Sequence, residues 1–119
     1  MTEKIIACAF RVFNELGYGF LESVYEKSLM IELRLAGIES SNQFPLTVRY
    51  RDEIVGDYVA DIVVESKVII ELKSVSKINK AHEVQLVNYL SATGIDVGLL
   101  INFGEKGVEV KRKVRKILR

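Results

Sequence analysis

The fold is indicated by two neighbouring segments, Tyr58-Val-Ala-Asp-Ile-Val-Val-Glu65 and Val68-Ile-Ile-Glu-Leu-Lys73. Both are short apolar runs rich in β-branched residues, which is typical of β-strands. They are apolar on both faces, so we expect both faces of their sheet to be covered. Charged residues nevertheless interrupt the two runs at Asp61, Glu71 and Lys73.

These charges lie where an apolar core is expected, and their placement needs an explanation. Glu71 and Lys73 are two positions apart, so their side chains share a face of the strand. Burying a carboxylate costs on the order of several kcal/mol even after relaxation. A divalent cation would offset that cost. An ion pair of Lys73 with Asp61 or Glu71 is the structural alternative that the charges alone leave open.

The loop between the two strands decides whether the two acids can meet. If residues 65–67 form a three-residue loop, Val64 pairs with Val68 and Asp61 lies directly opposite Glu71. The loop lacks the Asn-Gly or Asp-Gly pair of tight two-residue hairpins, which favours the longer loop. Carboxylates whose Cβ atoms are about 5 Å apart repel each other unless a cation lies between them. Mg²⁺ prefers one or two carboxylates with water and phosphate, so the pattern predicts a magnesium site.

The rest of the sequence predicts an α/β domain with a mixed sheet. Apolar residues at helical spacing predict two helices before the strands and a third after them. Strands joined by short turns would be antiparallel, and the helical crossover would lead to a parallel strand that is almost wholly apolar and therefore central. The predicted helices span residues 5–16, 21–36 and 80–92, and the predicted strands span 44–50, 54–64, 68–73 and 97–103. Residues 108–118 fit either a strand or a helix.

The composition limits the class of protein. The chain has 119 residues, 49% of them hydrophobic, so we expect one domain over residues 1–119 whose core needs no disulfide or structural metal. The one cysteine, Cys8, lies in an apolar helical pattern and is expected to be a small core residue. The sequence shows neither a signal peptide nor a membrane span and has no cysteine framework, so we expect a cytoplasmic location.

The net charge of +1 conceals an asymmetry. Residues 105–119 contain seven Lys or Arg and two Glu, whereas residues 1–104 contain ten basic and fourteen acidic residues. A basic C-terminal tail on a mildly acidic body can bind phosphate backbones. A solvated terminal face is the alternative that charge alone leaves open.

The acids and the lysine form a recognisable pattern. Asp61, nine further residues and then Glu71-Leu72-Lys73 resemble the signature of the PD-(D/E)XK nuclease superfamily. The resemblance implies a restriction-endonuclease-like α-β-β-β-α-β core with a mixed central sheet flanked by helices, in the order predicted above. Ala60 stands where the superfamily's name has Pro, a position that shapes the backbone and carries no chemistry.

Two further motifs resemble the GxxExxY family, a small branch of that superfamily. Gly19-Phe-Leu-Glu22-Ser-Val-Tyr25 matches the motif that names the branch. His82, Gln85 and Tyr89 match its His-x-x-Gln-x-x-x-Tyr pattern and lie on one face of the predicted third helix.

The resemblance implies a Mg²⁺-dependent nuclease that hydrolyses phosphodiester bonds of DNA or RNA, with Mn²⁺ able to substitute. Asp61, Glu71 and the backbone carbonyl of Leu72 would hold the metal, which polarises the phosphate and acidifies water. Lys73 would orient the attacking water or stabilise charge on the phosphate. Two more residues, Glu22 as a further ligand or general base and Gln85 as a group that holds water or phosphate, complete the implied catalytic set. Gly19, Tyr25 and Tyr89 are implied to be structural.

Nucleic acid is the partner that this reading predicts. The predicted nucleic-acid-binding residues are Lys77, Lys80, His82, Lys111, Arg112, Lys113 and Arg115. A lone histidine and exposed lysines also fit purely structural or solubilising roles. One small domain offers little surface for a duplex, which makes a homodimer a candidate assembly. The competing function is a non-catalytic nucleic-acid-binding or assembly subunit that has kept the nuclease fold.

Overall fold

The structure, a computed structural model, describes residues 1–115 of the chain. Their order is α-α-β-β-β-α-β-β, and the mixed α/β fold predicted from the sequence is confirmed. The elements are α1 Thr2–Leu16, α2 Glu22–Leu35, β1 Ser40–Tyr50, β2 Glu53–Val64, β3 Val68–Lys73, α3 Lys80–Thr93, β4 Val97–Gly104 and β5 Gly107–Val114. The predicted elements are all present with shifted ends; the largest shift is in β1, which begins four residues earlier than predicted.

The five strands form one sheet in the order β1-β2-β3-β4-β5. Only β3 and β4, which α3 connects, are parallel, as a helical crossover requires. The almost wholly apolar β4 lies between β3 and β5, so it is interior as predicted. The predicted tail is a strand over residues 107–114, because β5 pairs with β4 along its whole length. Ile117 and Leu118, which supported the helical alternative, lie outside the described residues.

The sheet has a core on each face. One core lies under α1 and α2, and the other lies under α3. Cys8 is fully buried in the first, as predicted, on the apolar stripe of α1 together with Ile5, Ala9 and Val12. No helix within residues 1–115 is long and apolar enough to cross a membrane.

The loop between β2 and β3 has three residues, which confirms the predicted register. Val64 pairs with Val68, so residues 65–67 close the hairpin. Glu65 and Ser66 have φ values of 50° and 56°, which gives a loop without glycine the left-handed backbone that a tight reversal needs.

The outer halves of β1 and β2 extend beyond the sheet. β2 pairs with β3 only over residues 62–64, whereas β1 and β2 pair with each other as far as Tyr50 and Glu53. Residues 44–60 therefore form a two-stranded ribbon, called the arm below. Apolar side chains remain exposed on it, among them Tyr50, Ile54 and Val55. The arm lies beside α3.

Candidate active site

The two acids of the predicted metal site replace backbone hydrogen bonds between β2 and β3. Regular pairing of the two strands ends at Ile62 and Ile70. Beyond that point the backbone N–H of Asp61 donates to Oε2 of Glu71 at 3.2 Å, and the N–H of Leu72 donates to Oδ2 of Asp61 at 2.7 Å. Each carboxylate is thus held at the backbone of the opposite strand, and the two acids lie together.

A break in the alternation of β2 places the carboxylate of Asp61 between the strands. Ala60 packs in the core under α3, whereas Ile62 packs in the core under α1 and α2. Residues two apart on a regular strand would share a face. The strand therefore changes face across Asp61, whose carboxylate points to the backbone of β3 and not to one face of the sheet.

The neighbouring strand is irregular at the same level, and a buried acid holds it there. Gln43 stands where β1 would pair with Asp61, and its φ of 51° interrupts the strand. The carboxylate of Glu26, which is 9% exposed, accepts hydrogen bonds from Nε2 of Gln43 at 2.8 Å and from Nδ2 of Asn42 at 3.1 Å. The sequence does not indicate this role of Glu26, because an acid on a helix gives no signal of a partner in a strand sixteen residues later.

Neither member of the acid pair forms a salt bridge with a described residue. Glu71 is 6% exposed, and burial, followed by the carboxylate of Asp61, raises its pKa to about 9, although the charge of Lys73 opposes this shift. The ion pairs found within residues 1–115 are Arg11–Glu32, Glu83–Lys113 and Asp96–Arg115. The alternative, an ion pair of Lys73 with either acid, is therefore absent from that part of the chain. Two carboxylates held together without a cation are a donor set that fits a divalent metal ion.

Helix α3 packs over the end of β2 that carries the acid pair, and its Tyr89 lies in the same core as Ala60. Nε2 of Gln85 donates to the hydroxyl of Tyr89 at 3.1 Å. Burial raises the pKa of Tyr89, and the nearby carboxylates of Glu71 and Asp61 raise it further, so the tyrosine lies on the side of the sheet that faces them. The role of Gln85 at the site stays a prediction.

His82, the third residue of that motif, caps the helix. Its Nδ1 accepts a hydrogen bond from the backbone N–H of Asn79 at 3.2 Å, and its own N–H donates to Oδ1 of Asn79 at 3.1 Å. This reciprocal pair is a capping box, with histidine in the position that Glu or Gln usually takes. The contacts account for His82 structurally, and its binding of nucleic acid stays a prediction.

The segment before α2 is fixed to the end of β3, close to Lys73. The hydroxyl of Tyr25 donates to the carbonyl of Gly17 and accepts from the N–H of Phe20 at 3.3 Å. Oγ of Ser74, the residue after Lys73, donates to the carbonyl of Phe20 at 3.0 Å. Gly19 has a φ of 110°, which a side chain would strain, so this turn requires glycine.

Glu22 begins α2 just after this turn, but it does not join the acid pair. Its side chain is exposed. Within residues 1–115 no group of three or more His, Cys, Asp or Glu side chains is arranged to hold a metal ion. Its role as a ligand or base therefore stays a prediction, and the structure provides two carboxylates for a metal.

Comparison with known proteins places this geometry in a family. No protein of curated function matches the chain in sequence. A family model of the PD-(D/E)XK nuclease superfamily matches residues 1–117. The chain belongs to the PD-(D/E)XK nuclease superfamily.

Solved structures of similar fold agree with this assignment. The structure of SSO0001 has a TM-score of 0.65 and 14% identity over 81% of this chain; the match covers 50% of SSO0001, so this chain spans half its length. An alkaline exonuclease, LHK-Exo from Laribacter hongkongensis, has a TM-score of 0.53 and 12% identity over 98% of this chain and 83% of its own. Its complex with dAMP gives a TM-score of 0.54 at the same identity and coverage. At these identities the likeness concerns the fold alone.

PD-(D/E)XK nucleases generally use divalent metal ions, and the acid pair fits such an ion. The predicted third ligand, the carbonyl of Leu72, is also suitably directed. The N–H of Leu72 faces Asp61, and in a β-strand the N–H and C=O of one residue point to the same side. Asp61, Glu71 and this carbonyl would hold the metal.

We predict that metal binding releases a proton. Because burial and Asp61 raise the pKa of Glu71 to about 9, this carboxyl is protonated in the metal-free protein near pH 7. A divalent cation favours the ionised form, so apparent affinity should rise with pH up to about 9. Calorimetric titration with Mg²⁺ or Mn²⁺ in buffers of different ionisation enthalpy should detect the proton in wild type and none in Glu71→Gln. Equal proton release by both proteins would contradict the prediction.

The same pKa predicts how pH affects metal-free stability. The folded state binds the proton of Glu71 more tightly than the unfolded chain, whose carboxyl titrates near the ordinary value of 4.5. The free energy of unfolding should therefore fall as pH rises from about 4.5 through about 9. Urea denaturation of wild type and Glu71→Gln across this range isolates the effect, because every other titrating group is common to both proteins.

The basic residues of β5 do not form one continuous stripe. Val108 and Val110 pack against the core under α1 and α2, so Lys111 and Lys113 point to the α3 side and Arg112 to the other. Nζ of Lys113 pairs with Glu83 of α3 at 2.6 Å. Arg115, just beyond the strand, pairs with Asp96 at 2.9 Å.

Each of these two ion pairs would compete with a phosphate for its basic residue. Lys77, Lys80, Lys111 and Arg112 are exposed. The binding of nucleic acid by all seven predicted residues stays a prediction.

Asn102, which sequence analysis missed, positions the chain that follows Lys73. The side chain is 1% exposed; Oδ1 accepts from the N–H of Val75 at 2.9 Å, and Nδ2 donates to the carbonyl of Val75 at 2.8 Å. It pairs with Lys73 across the parallel strands β3 and β4. The sequence does contain a signal for Asn102, because it is a lone amide in an otherwise apolar strand.

Proposed function

We propose that this protein is a Mg²⁺-dependent nuclease of the GxxExxY branch that hydrolyses phosphodiester bonds of DNA or RNA. One observation carries the proposal: Asp61 and Glu71 are brought together where the β2–β3 pairing ends, and no cation within residues 1–115 neutralises them. A core that served only stability would avoid a buried acid, Glu71, beside a second, partly buried acid, Asp61. The roles of Gly19 in the turn and of Tyr25 in anchoring it support the assignment to the branch.

The residues around the acid pair have different chemical roles. When bound, Mg²⁺ would supply positive charge at the scissile phosphate and make water more acidic. Lys73 shares a face with Glu71 at the end of β3, and its ammonium group would stabilise negative charge that builds on the phosphate. Nε2 of Gln85 is engaged with Tyr89, which directs the amide and would let its oxygen accept a hydrogen bond from the attacking water.

The proposal also includes a cytoplasmic location and a homodimer. A cytoplasmic location is supported by the free thiol of Cys8, which is buried and unpaired in a fold without disulfides among the described residues. A homodimer is supported by the apolar side chains that the arm leaves exposed.

The activity is tested by incubating the purified protein with labelled single- and double-stranded DNA and RNA, with Mg²⁺ or Mn²⁺ and with EDTA as the control. We predict that Lys73→Met lowers the cleavage rate by roughly a hundredfold to a thousandfold, because it removes a charge that acts in the transition state. Metal binding should persist in this variant. Lys67→Met, which removes an exposed lysine of the β2–β3 loop, is the matched control. Absence of cleavage with every substrate and both ions would refute the proposal.

A further inference from the structure

A groove runs between the arm and α3. Its volume is about 840 Å³. The arm contributes Arg49 and Tyr58 to its wall, and α3 contributes Gln85, Asn88 and Tyr89. Tyr58 stands three residues before Asp61 on β2, and Tyr89 packs in the same core as Ala60, so the groove runs beside the site.

The lining of the groove suits a nucleotide. The rings of Tyr58 and Tyr89 have centroids 5.7 Å apart and planes inclined at 48°, and Tyr58 is 46% exposed. Arg49 is the charged residue of the lining, which contains no acid. A base with its phosphate is bound by an exposed aromatic face and a cation, together with neutral polar side chains such as Gln85 and Asn88.

The position of the aromatic residues favours a single strand over a duplex. Within a duplex the faces of the bases are covered by their neighbours, so only an unstacked base can lie against a ring inside a groove. The groove has the volume of a small-ligand pocket, which is typically about 300–1,000 Å³. That space suits a few nucleotides of one strand.

We propose that this groove binds a single-stranded segment of the nucleic-acid substrate, stacks a base on Tyr58, holds a phosphate at Arg49 and leads the strand to Asp61 and Glu71. The inference rests on the proposed nuclease function, whose substrate class it specifies. The active site then receives one strand from the side of the arm.

Binding can be measured separately from cleavage. Fluorescence anisotropy with a short labelled oligonucleotide, in buffer with EDTA, should show tighter binding of single-stranded DNA or RNA than of the matching duplex. Tyr58→Ala should weaken single-strand binding about tenfold, as expected for the loss of one stacking platform. Tyr58→Phe keeps the ring and should bind as wild type does. Tyr50→Ala, which removes an exposed tyrosine of the arm outside the groove, should also leave binding unchanged.

A second pair of variants tests the phosphate contact. Arg49→Ala should weaken single-strand binding. It should also reduce the slope of log affinity against log salt concentration by about the amount that one phosphate contact contributes. Arg51→Ala, at the end of the same arm and outside the groove, is the matched control. Thermal unfolding of every variant verifies that the fold is retained; Arg49→Ala changes an exposed side chain and tests the idea even where Tyr58→Ala is unstable.

The outcomes separate this inference from the proposed function. Equal affinity for duplex and single strand, or unchanged binding in both Tyr58→Ala and Arg49→Ala, overturns the groove inference while metal-dependent cleavage can still be observed. Single-strand binding that depends on Tyr58 and Arg49 supports the groove even if no ion produces cleavage, a result that would remove the nuclease function alone.

Discussion

Replacing Asp61 by Asn, or Glu71 by Gln, should lower the rate of metal-dependent phosphodiester hydrolysis by about a thousandfold or more. Each amide removes a negative charge from the metal-binding pair. Weaker metal binding should cost several kcal/mol of transition-state stabilisation, and every 1.4 kcal/mol lost slows the reaction about tenfold. The fold should be retained, because the amide oxygens can still accept the hydrogen bonds that the backbone N–H groups of Leu72 and Asp61 now donate to the two carboxylates.

The rate is measured on the substrate that wild type cleaves fastest, at saturating Mg²⁺ or Mn²⁺. Glu65→Gln is the matched control, since it removes an exposed acid from the loop of the same hairpin and should leave the rate unchanged. Without metal, Glu71→Gln should be about as stable as wild type near pH 7, where Glu71 is already protonated, and more stable than wild type as pH rises through about 9. Undiminished cleavage by either amide variant would exclude the proposed site.

The second large effect concerns stability. Tyr25→Ala should lower the free energy of unfolding by about 3–5 kcal/mol, the usual cost of truncating a buried aromatic side chain. The ring of Tyr25 is fully buried and stacks on Phe103, with centroids 4.3 Å apart and planes within 2°. The hydroxyl holds Gly17 and Phe20. A domain of this size has a total stability of roughly 5–15 kcal/mol, so this variant should be close to unfolding.

Urea denaturation followed by circular dichroism measures this loss. Tyr25→Phe keeps the stacked ring and loses only the hydroxyl, so it should cost about 1–3 kcal/mol. Tyr18→Ala is the control, because Tyr18 is 50% exposed and a surface substitution should change stability by about 0.5 kcal/mol or less. A loss in Tyr25→Ala no larger than that in Tyr18→Ala would mean that the turn before α2 is held in another way.

The differences between expectation and structure have one physical origin. The break in β2 at Asp61 is enforced by two cores on opposite faces and by Gln43, which Glu26 holds from another element. No sequence pattern along β2 indicates this break. His82 and Lys113 read as free polar groups in the sequence, and the fold supplies Asn79 and Glu83 as their partners.

The C-terminal segment shows the same limit. Its apolar residues fit two periodicities, and pairing along β4 decided between them. The groove is a further case, since it exists only because the arm extends past the sheet and lies beside α3.

What the sequence determined by itself is local: short apolar runs rich in β-branched residues indicated the strands, and the composition of the β2–β3 loop favoured the register that pairs Val64 with Val68. A hairpin's register depends on its own few residues, because side chains alternate with a period of two. Only the tertiary structure decided that the Asp61 carboxylate lies between strands, that Tyr89 packs in the same core as Ala60, and that α3 and the arm enclose a groove. These features join residues far apart in the chain, and their positions follow from packing on two faces of one sheet.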